Sequence, residues 1–272
     1  MIPHDYITEW RAKAPWVQDL QVEQDLVISR ALVALFSQEA VARLLAFRGG
    51  TALYKLYLTP PARYSEDIDL VQVAAGPIGD VLDAIRQALE PWLGKPKWKQ
   101  TEGRVTLTYR FASEDTPPMP LRLKVEINTR EHIAIHGLVH HPFEVRSRWF
   151  TGGATLATFT LDELLGTKLR ALYQRKKGRD LFDLDLALQH TDVHPDEVVR
   201  IFAAYLAHGN DRISRAQFEQ NLTEKMEDPG FGTDVPPLLA AGRQWALADA
   251  RRRVHDGLVA LLPGEPWLGG KP

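Results

Sequence analysis

The sequence predicts an α+β protein whose second half is mainly helical. Residues 105–111 and 121–127 place apolar side chains at every second position, which is the period of a half-buried strand. The Pro-rich loop between these segments predicts an antiparallel hairpin. From Leu161 onward, apolar residues recur every three or four positions, as they do in amphipathic helices. Short strands with few helices between them favour an α+β organisation for the first half.

The elements before residue 100 follow from the same two periods. A glycine-containing break at 47–50 separates a long helical pattern from a short predicted helix at 51–58, for which Thr51 is a suitable cap. The other predicted elements of this region are a short amphipathic helix that starts at 7–10, helices at 21–45 and 78–93, and a strand at 68–73.

The chain is long enough for two domains. Domains contain roughly 150 residues, and this chain has 272. The change from strand to helix periodicity falls near Gly152-Gly153, which we interpret as a turn; this turn or the loop just after it is the predicted boundary. We therefore predict a first domain of strands and N-terminal helices at 1–153 and a mainly helical lobe at 154–272.

Composition and charge exclude several classes of protein. Apolar residues make up 44% and charged residues 25%, values typical of soluble globular proteins and unlike disordered or collagen-like chains. The 33 Lys and Arg against 35 Asp and Glu give a net charge of -2, so nucleic acid could bind only at a local basic patch. The absence of cysteine excludes disulfides and thiolate zinc sites. No segment resembles a membrane span or a signal peptide, which predicts a cytoplasmic protein without a membrane partner.

Asp67 and Asp69 form the pattern that predicts a metal-binding site. Because they are two residues apart on a predicted strand, their carboxylates share one face and repel unless a cation lies between them. Mg²⁺ suits such oxygen ligands and typically takes one or two carboxylates plus substrate phosphates. Gly49 and Gly50, before a predicted helix, offer backbone N–H groups as a phosphate cradle. Glu126, on another predicted strand, could join the two aspartates; the alternative is that the aspartates form a solvated strand edge.

Three segments together resemble a known family. They are Arg-Gly-Gly-Thr-Ala-Leu at 48–53, Arg-Tyr-Ser-Glu-Asp-Ile-Asp-Leu at 63–70, and a block at 161–184. The block has the pattern Leu-X-Glu-Leu-X-X-X-Lys-Leu-X-Ala-Leu, followed by Arg-Asp-X-X-Asp. Over about residues 15–190 the chain resembles the nucleotidyltransferase toxins of the AbiEii/AbiGii type, a branch of the DNA polymerase β-like nucleotidyltransferase superfamily.

The resemblance implies a polymerase β-like nucleotidyltransferase core with a mixed sheet, plus a helical lobe that contributes to the site. A nucleoside triphosphate is the implied substrate, with Mg²⁺ or Mn²⁺ as the cofactor. The implied metal ligands are Asp67, Asp69 and Glu126, which form the catalytic set together with Lys168 and Asp183. The predicted nucleotide- and phosphate-binding residues are Arg48, Gly49, Gly50, Thr51, Arg63 and Ser65. For Arg63, the alternative is a surface ion pair with Glu66.

Lys168 also stands out without the resemblance. It falls on the apolar face of the helix predicted from Leu161, where an unpaired ammonium is costly and needs an anionic partner. A triphosphate, Asp183 or Glu126 could supply that negative charge. The alternative is a lysine whose stem lies along the apolar stripe while its ammonium reaches solvent.

A basic run follows the same predicted helix. We interpret 175–180 as the end of that helix at Gly178 and the start of another at Asp180. The cations of this run are Arg175, Lys176, Lys177 and Arg179. Positive charge is favourable near a helix C-terminus; the functional alternative is contact with the phosphates of RNA.

The predicted function is transfer of a nucleoside monophosphate from a nucleoside triphosphate to an acceptor hydroxyl. The resemblance implies a toxin of a bacterial toxin–antitoxin or abortive-infection system, with a cognate antitoxin as partner and the 3′ end of tRNA as acceptor. A protein hydroxyl, as in AMPylation or autoregulation, and a small-molecule hydroxyl are alternative acceptors. A non-catalytic module in which bound nucleotide switches a partner interaction is the alternative of another class.

Overall fold

The computed structural model describes residues 2–189 and 192–269. The chain divides into two compact units, Met1–Phe159 and Thr160–Pro272. The first unit combines a mixed sheet with helices and the second is helical, which confirms the predicted fold class. In the described part of the chain, no helix has both the length and the apolarity needed to cross a membrane.

Seven strands form one mixed sheet within residues 2–189. They are β1 (Leu45–Arg48), β2 (Asp67–Gln72), β3 (Lys97–Thr101), β4 (Arg104–Ala112), β5 (Pro120–Asn128), β6 (Val139–Arg146) and β7 (Thr151–Thr158). Their order across the sheet is β3-β4-β5-β2-β1-β7-β6. The β2–β5 and β1–β7 pairs are parallel and the others are antiparallel.

The strands predicted from alternation are present, and the β4–β5 pair confirms the antiparallel hairpin. The sequence did not predict β1, β3, β6 and β7; the burial of β6 does alternate, whereas that of β1 and β3 does not. Strand β1 has only four residues, and every residue of β3 is exposed, so neither shows an alternating burial pattern. Gly152-Gly153 lies inside β7 and is not a turn, which corrects our interpretation of this pair. A Cβ at Gly152 would lie 2.8 Å from the ring of Phe150, so close packing explains this glycine.

One face of the sheet carries the apolar core of the first unit. Three helices precede β1 in the chain and one follows β2. They are α1 (His4–Trp10), α2 (Asp19–Phe36), α3 (Glu39–Leu44) and α5 (Gly79–Leu93). Ile68 of β2 and Val125 of β5 are fully buried, whereas the residues directly before and after each of them are partly exposed. The predicted helix at 21–45 is two helices, α2 and α3, because Ser37 turns its hydroxyl back to the carbonyl oxygen of Val33 (2.7 Å) and Gln38 is extended.

The helix after β1 begins earlier than predicted. A short helix α4 (Gly49–Ala52) starts directly at the two glycines and continues as a π-helical turn, Leu53–Tyr57. Thr51 therefore lies inside the helix and is not its cap, which corrects the prediction. Its hydroxyl instead donates to the carbonyl oxygen of Asp67 (2.5 Å), because the helix packs against the start of β2.

The described part of the second unit contains five α-helices. They are α6 (Leu161–Gln174), α7 (Gly178–Ala187), α8 (Pro195–His208), α9 (Arg215–Met226) and α10 (Leu247–Gly257). Gly178 begins α7 and does not end α6, contrary to our prediction. Its amide donates to Asp234 Oδ1 (3.0 Å), and a Cβ at this position would overlap with the backbone of Gly232. Close packing therefore accounts for the glycine.

Candidate active site

The turn between β1 and α4 passes directly against a carboxylate of β2. Gly49 has φ +82°, a conformation that L side chains rarely adopt. A Cβ at Gly49 would overlap with Oδ2 of Asp69. The register explains this contact, because Arg48 lies opposite Asp69 in the antiparallel β1–β2 pair. The predicted phosphate cradle and one of the predicted metal ligands are thus immediate neighbours.

The second glycine lies against the segment that leads into β2. A Cβ at Gly50 would lie 2.7 Å from Nη2 of Arg63 and 3.1 Å from Oγ of Ser65. Arg63 is only 2% exposed, and its Nη1 donates to the carbonyl oxygen of Tyr64 (2.9 Å), so it is not a surface ion pair with Glu66. Ser65 Oγ lies 2.9 Å from the hydroxyl of Thr51. Four of the predicted phosphate-binding residues therefore lie next to one another, joined by close packing or by a hydrogen bond.

The acids of β2 lie opposite charged residues of β5. In the parallel register, Asp67 is paired with Lys124 and Asp69 with Glu126. Lys124 Nζ lies 3.7 Å from Asp67 Oδ2 and forms an ion pair with Glu126. Arg104 of β4 lies 3.2 Å from Glu126 Oε1. The three predicted acids are therefore close together in the sheet, and Glu126 is held by two cations.

Sequence reasoning missed Lys124 and Arg104. The sequence could have indicated Lys124, because this residue is two positions before Glu126 on the same strand. The two side chains therefore share one face of the sheet. Arg104 could be found only from the register of the hairpin, since it begins the strand that pairs with β5. Arg48 binds Glu131 (3.0 Å), a partner that the sequence did not indicate.

Burial and charge shift the pKa values of this cluster. Burial raises the pKa of Asp67 to about 6, and the carboxylates of Asp69, Glu66 and Glu126 act in the same direction. The ammonium of Lys124 opposes that rise but does not cancel it. Burial alone would lower the pKa of Lys124, but its hydrogen bond with Glu126 and the nearby carboxylates raise it above its usual range. Burial and the neighbouring carboxylates therefore disfavour the charged form of Asp67 in this cluster.

In the second unit, Lys168 has two buried acidic partners. Its ammonium lies 3.0 Å from Asp183 Oδ2 and 3.2 Å from Asp180 Oδ1, and both aspartates are fully buried. Of the three anions that the sequence offered, Asp183 is the partner observed, and Lys168 is only 6% exposed, so it does not reach solvent. Burial would raise the pKa of Asp180, but Lys168 and Arg175 hold it below its usual range. The part of Lys168 and Asp183 in catalysis stays a prediction.

Two cations of the basic run have protein partners. Arg175 binds both carboxylate oxygens of Asp180, at 2.6 and 2.7 Å, and Lys176 forms an ion pair with Asp228. For Lys177 and Arg179, no ion pair is found within the described residues. Ion pairing accounts for the first two cations, while contact of the run with RNA stays a prediction.

The sequence model of the family described as "Nucleotidyl transferase AbiEii toxin, Type IV TA system" matches residues 30–253. This range includes every predicted site residue. The chain belongs to the AbiEii nucleotidyltransferase toxin family. It is accordingly a nucleotidyltransferase, the toxin of a type IV toxin–antitoxin system. Membership implies a nucleoside triphosphate as substrate, a divalent metal ion in general terms, and a cognate antitoxin.

Solved structures share the fold of this AbiEii protein. MenT4, a nucleotidyltransferase toxin from Mycobacterium tuberculosis, has a TM-score of 0.65 at 17% identity over 96% of this chain and 90% of its own. JHP933 from Helicobacter pylori has a TM-score of 0.57 at 19% identity over 90% of this chain and 93% of its own. At these identities the likeness shows the fold alone. No curated protein matches the sequence significantly.

The two β2 aspartates fit a divalent ion that arrives with a nucleotide. Among residues 2–189 and 192–269, no three His, Asp or Glu side chains are arranged to hold a metal ion by themselves. Mg²⁺, however, is commonly held by one or two carboxylates together with substrate phosphates. Burial, with the neighbouring carboxylates, raises the pKa of Asp67, and a bound cation would favour its charged form. Asp67 and Asp69 are therefore suitable ligands for the metal that the AbiEii family implies.

We expect Asp67→Asn to stabilise this AbiEii protein in the absence of ligands. Because the pKa of Asp67 rises from 3.8 to about 6 on folding, the charged carboxylate costs folding free energy above pH 6. The side chain is 29% exposed, so solvent screening reduces the gain at pH 7 to on the order of 1 kcal/mol. The gain should disappear as the pH falls from 6 towards 4, where the folded state binds the proton.

Urea unfolding of both proteins at pH 7 and pH 4 measures this difference. Asp83→Asn is the control, because Asp83 is 76% exposed on α5. A variant at Asp67 that is less stable than wild type at pH 7 would contradict the argument.

Gly49→Ala should impair transfer far more than it impairs folding. The added Cβ must displace the Asp69 carboxylate, and the positive φ costs roughly 1–2 kcal/mol for an L residue. A displacement of about 1 Å at reacting groups costs on the order of 10²-fold in rate. Gly76→Ala is the matched control, since a Cβ there meets nothing within 4 Å. Comparable kcat/KM values for the two variants would show that the close approach at Gly49 is unimportant.

Proposed function

We propose that this protein transfers a nucleoside monophosphate from a nucleoside triphosphate to the 3′-terminal hydroxyl of tRNA. Mg²⁺, or Mn²⁺ in its place, would be held by Asp67 and Asp69. The observation that carries the proposal is the contact between Gly49 and the Asp69 carboxylate. It brings backbone N–H groups suited to phosphates and oxygen ligands suited to a metal ion to the same place. Because the proposed substrates are a nucleoside triphosphate and tRNA, we propose that the protein acts in the cytoplasm.

Each part of the first-unit site has a chemical task in this proposal. The backbone of the glycine turn binds phosphate oxygens, with Ser65 and the buried Arg63 beside Gly50. When bound, the metal ion neutralises charge on the triphosphate. The acceptor oxygen attacks the α-phosphorus as the bond to pyrophosphate breaks, and Glu126 takes the hydroxyl proton. Most of the rate gain comes from positioning and charge stabilisation.

Glu126 is suited to this task by its neighbours. Lys124 and Arg104 hold its carboxylate in place beside Asp69, its partner in the β2–β5 register. Lys168 and Asp183, which form an ion pair within the second unit, stay predicted members of the catalytic set. For the acceptor, a growth-inhibiting toxin that transfers nucleotides needs an essential cellular hydroxyl, and the 3′ end of tRNA offers one.

A labelled-transfer assay tests the proposal. Purified protein is incubated with each labelled nucleoside triphosphate in turn, total cellular RNA and Mg²⁺ or Mn²⁺, with EDTA and Asp69→Asn protein as controls. We expect label in a tRNA-sized band that requires the metal and Asp69. Label on the protein itself would identify a protein hydroxyl as the acceptor, as in autoregulation. Label only in small molecules, or none in any band, would reject tRNA.

A further inference from the structure

The sheet face that carries Asp67 continues to the free edge of the sheet. In the register, Asp67 is paired with Lys124, Lys124 with Thr108, and Thr108 with Lys97. Residues paired across neighbouring strands point to the same face. Lys97, on the edge strand β3, therefore lies on the same face as Asp67.

The next set of paired residues across β2, β5, β4 and β3 is arranged in the same way. Asp69 is paired with Glu126, Glu126 with Thr106, and Thr106 with Lys99. Arg104 and Arg110 of β4 and Arg122 of β5 are also exposed on this face. Their strands lie between β2 and β3 in the sheet. We call this set the basic track: Lys97, Lys99, Arg104, Arg110 and Arg122.

The cations of the basic track have little compensation within the protein. Arg104 pairs with Glu126, and Arg122 lies 3.9 Å from Glu66. For Lys97, Lys99 and Arg110, no ion pair with a described residue is found. Because the whole chain has a net charge of -2, this concentration of exposed positive charge is local. Such a surface attracts a polyanion.

Protection of the sheet edge does not explain the whole track. Lysines on an edge strand discourage pairing with other chains, which would account for Lys97 and Lys99. Arg110 and Arg122 lie on β4 and β5, which have partners on both sides, so that explanation does not apply to them. Trp98, also on β3, faces the opposite side, 5.8 Å from Arg86, and is not part of the track.

We propose that the basic track binds the phosphates of the RNA acceptor next to its reacting 3′ end. This inference rests on the proposed function, because it assumes an RNA acceptor at Asp67 and Asp69. From β2 to β3 there are three strand spacings of about 4.8 Å, roughly 14 Å in all. A stacked strand advances about 3.4 Å per nucleotide, so the track spans about four nucleotides. Contacts with phosphates position the RNA without reading its sequence.

The double variant Lys97→Gln/Lys99→Gln tests the basic track. Binding of fluorescently labelled, unfractionated tRNA is measured by anisotropy between about 50 and 200 mM salt. We expect affinity at low salt to fall roughly 3- to 10-fold and the slope of log K against log salt to decrease by about 1 to 2. In the transfer assay, KM for tRNA should rise, while KM for the nucleotide and kcat at saturating tRNA stay unchanged.

Two controls separate charge from folding. Arg43→Gln/Arg146→Gln removes the same charge from two exposed residues of the first unit, one on α3 and one on the opposite edge strand β6, and should bind tRNA like wild type. Lys97→Arg/Lys99→Arg retains the charge and should also bind normally. If the glutamine variant binds and modifies tRNA like wild type, the basic track has no part in acceptor binding, although the proposed function stands. If wild-type protein neither binds nor modifies RNA, both are rejected.

Discussion

Asp69→Asn is expected to abolish nucleotidyl transfer, with kcat/KM reduced by at least about 10³-fold. The amide keeps the shape of the side chain, so the contact with Gly49 and the pairing with Glu126 are preserved. It loses the negative charge that would hold a divalent ion between the protein and the triphosphate. We therefore expect a folded protein that is inactive.

Two measurements separate loss of chemistry from loss of structure. The urea midpoint of Asp69→Asn should be close to that of wild type, while Mn²⁺ binding in the presence of nucleotide, followed by electron paramagnetic resonance, should be strongly weakened. Asp83→Asn, which removes an exposed carboxylate from the same unit, should keep full activity. If Asp69→Asn kept more than about a tenth of wild-type kcat/KM, Asp69 could not be a metal ligand in the reaction.

The part of the site on β2 was predictable from the sequence because it depends on local spacing. Asp67 and Asp69 alternate with the buried Ile68 and Leu70, so one strand period assigns both carboxylates to one face. The approach of Gly49 to Asp69 depends instead on the β1–β2 register. The sequence could suggest a glycine turn but not the carboxylate that it touches.

The features that escaped sequence reasoning depend on pairing between distant segments. Strand β3 is exposed throughout, so nothing in its pattern distinguishes it from a loop. The basic track became visible only when the register placed Lys97 and Lys99 on the face of the aspartates. Asp180 was missed as a partner of Lys168 because a helix starting at Gly178, earlier than predicted, changes which residues face α6.

Lys168→Met should lower the free energy of unfolding of the second unit by about 3–5 kcal/mol. The lysine is 6% exposed, and the carboxylates of Asp180 and Asp183 are fully buried. Without the ammonium, Asp183 loses the cation 3.0 Å from its oxygen, and Asp180 loses the one at 3.2 Å but keeps Arg175. Two buried carboxylates close together, one of them without this counter-charge, are costly because neither is solvated by water. Urea unfolding followed by circular dichroism measures the loss.

The double variant Lys168→Met/Asp183→Asn distinguishes a structural role from a role in transfer. Neutralising Asp183 removes the negative charge that Lys168 faces in the wild type, so stability should recover to within about 1–2 kcal/mol of wild type. If the pair is only structural, transfer recovers with stability; if Lys168 or Asp183 acts in the reaction, the refolded variant stays inactive. We expect the second outcome, because both residues belong to the predicted catalytic set. A Lys168→Met protein as stable as wild type would show that the buried pair contributes nothing to folding.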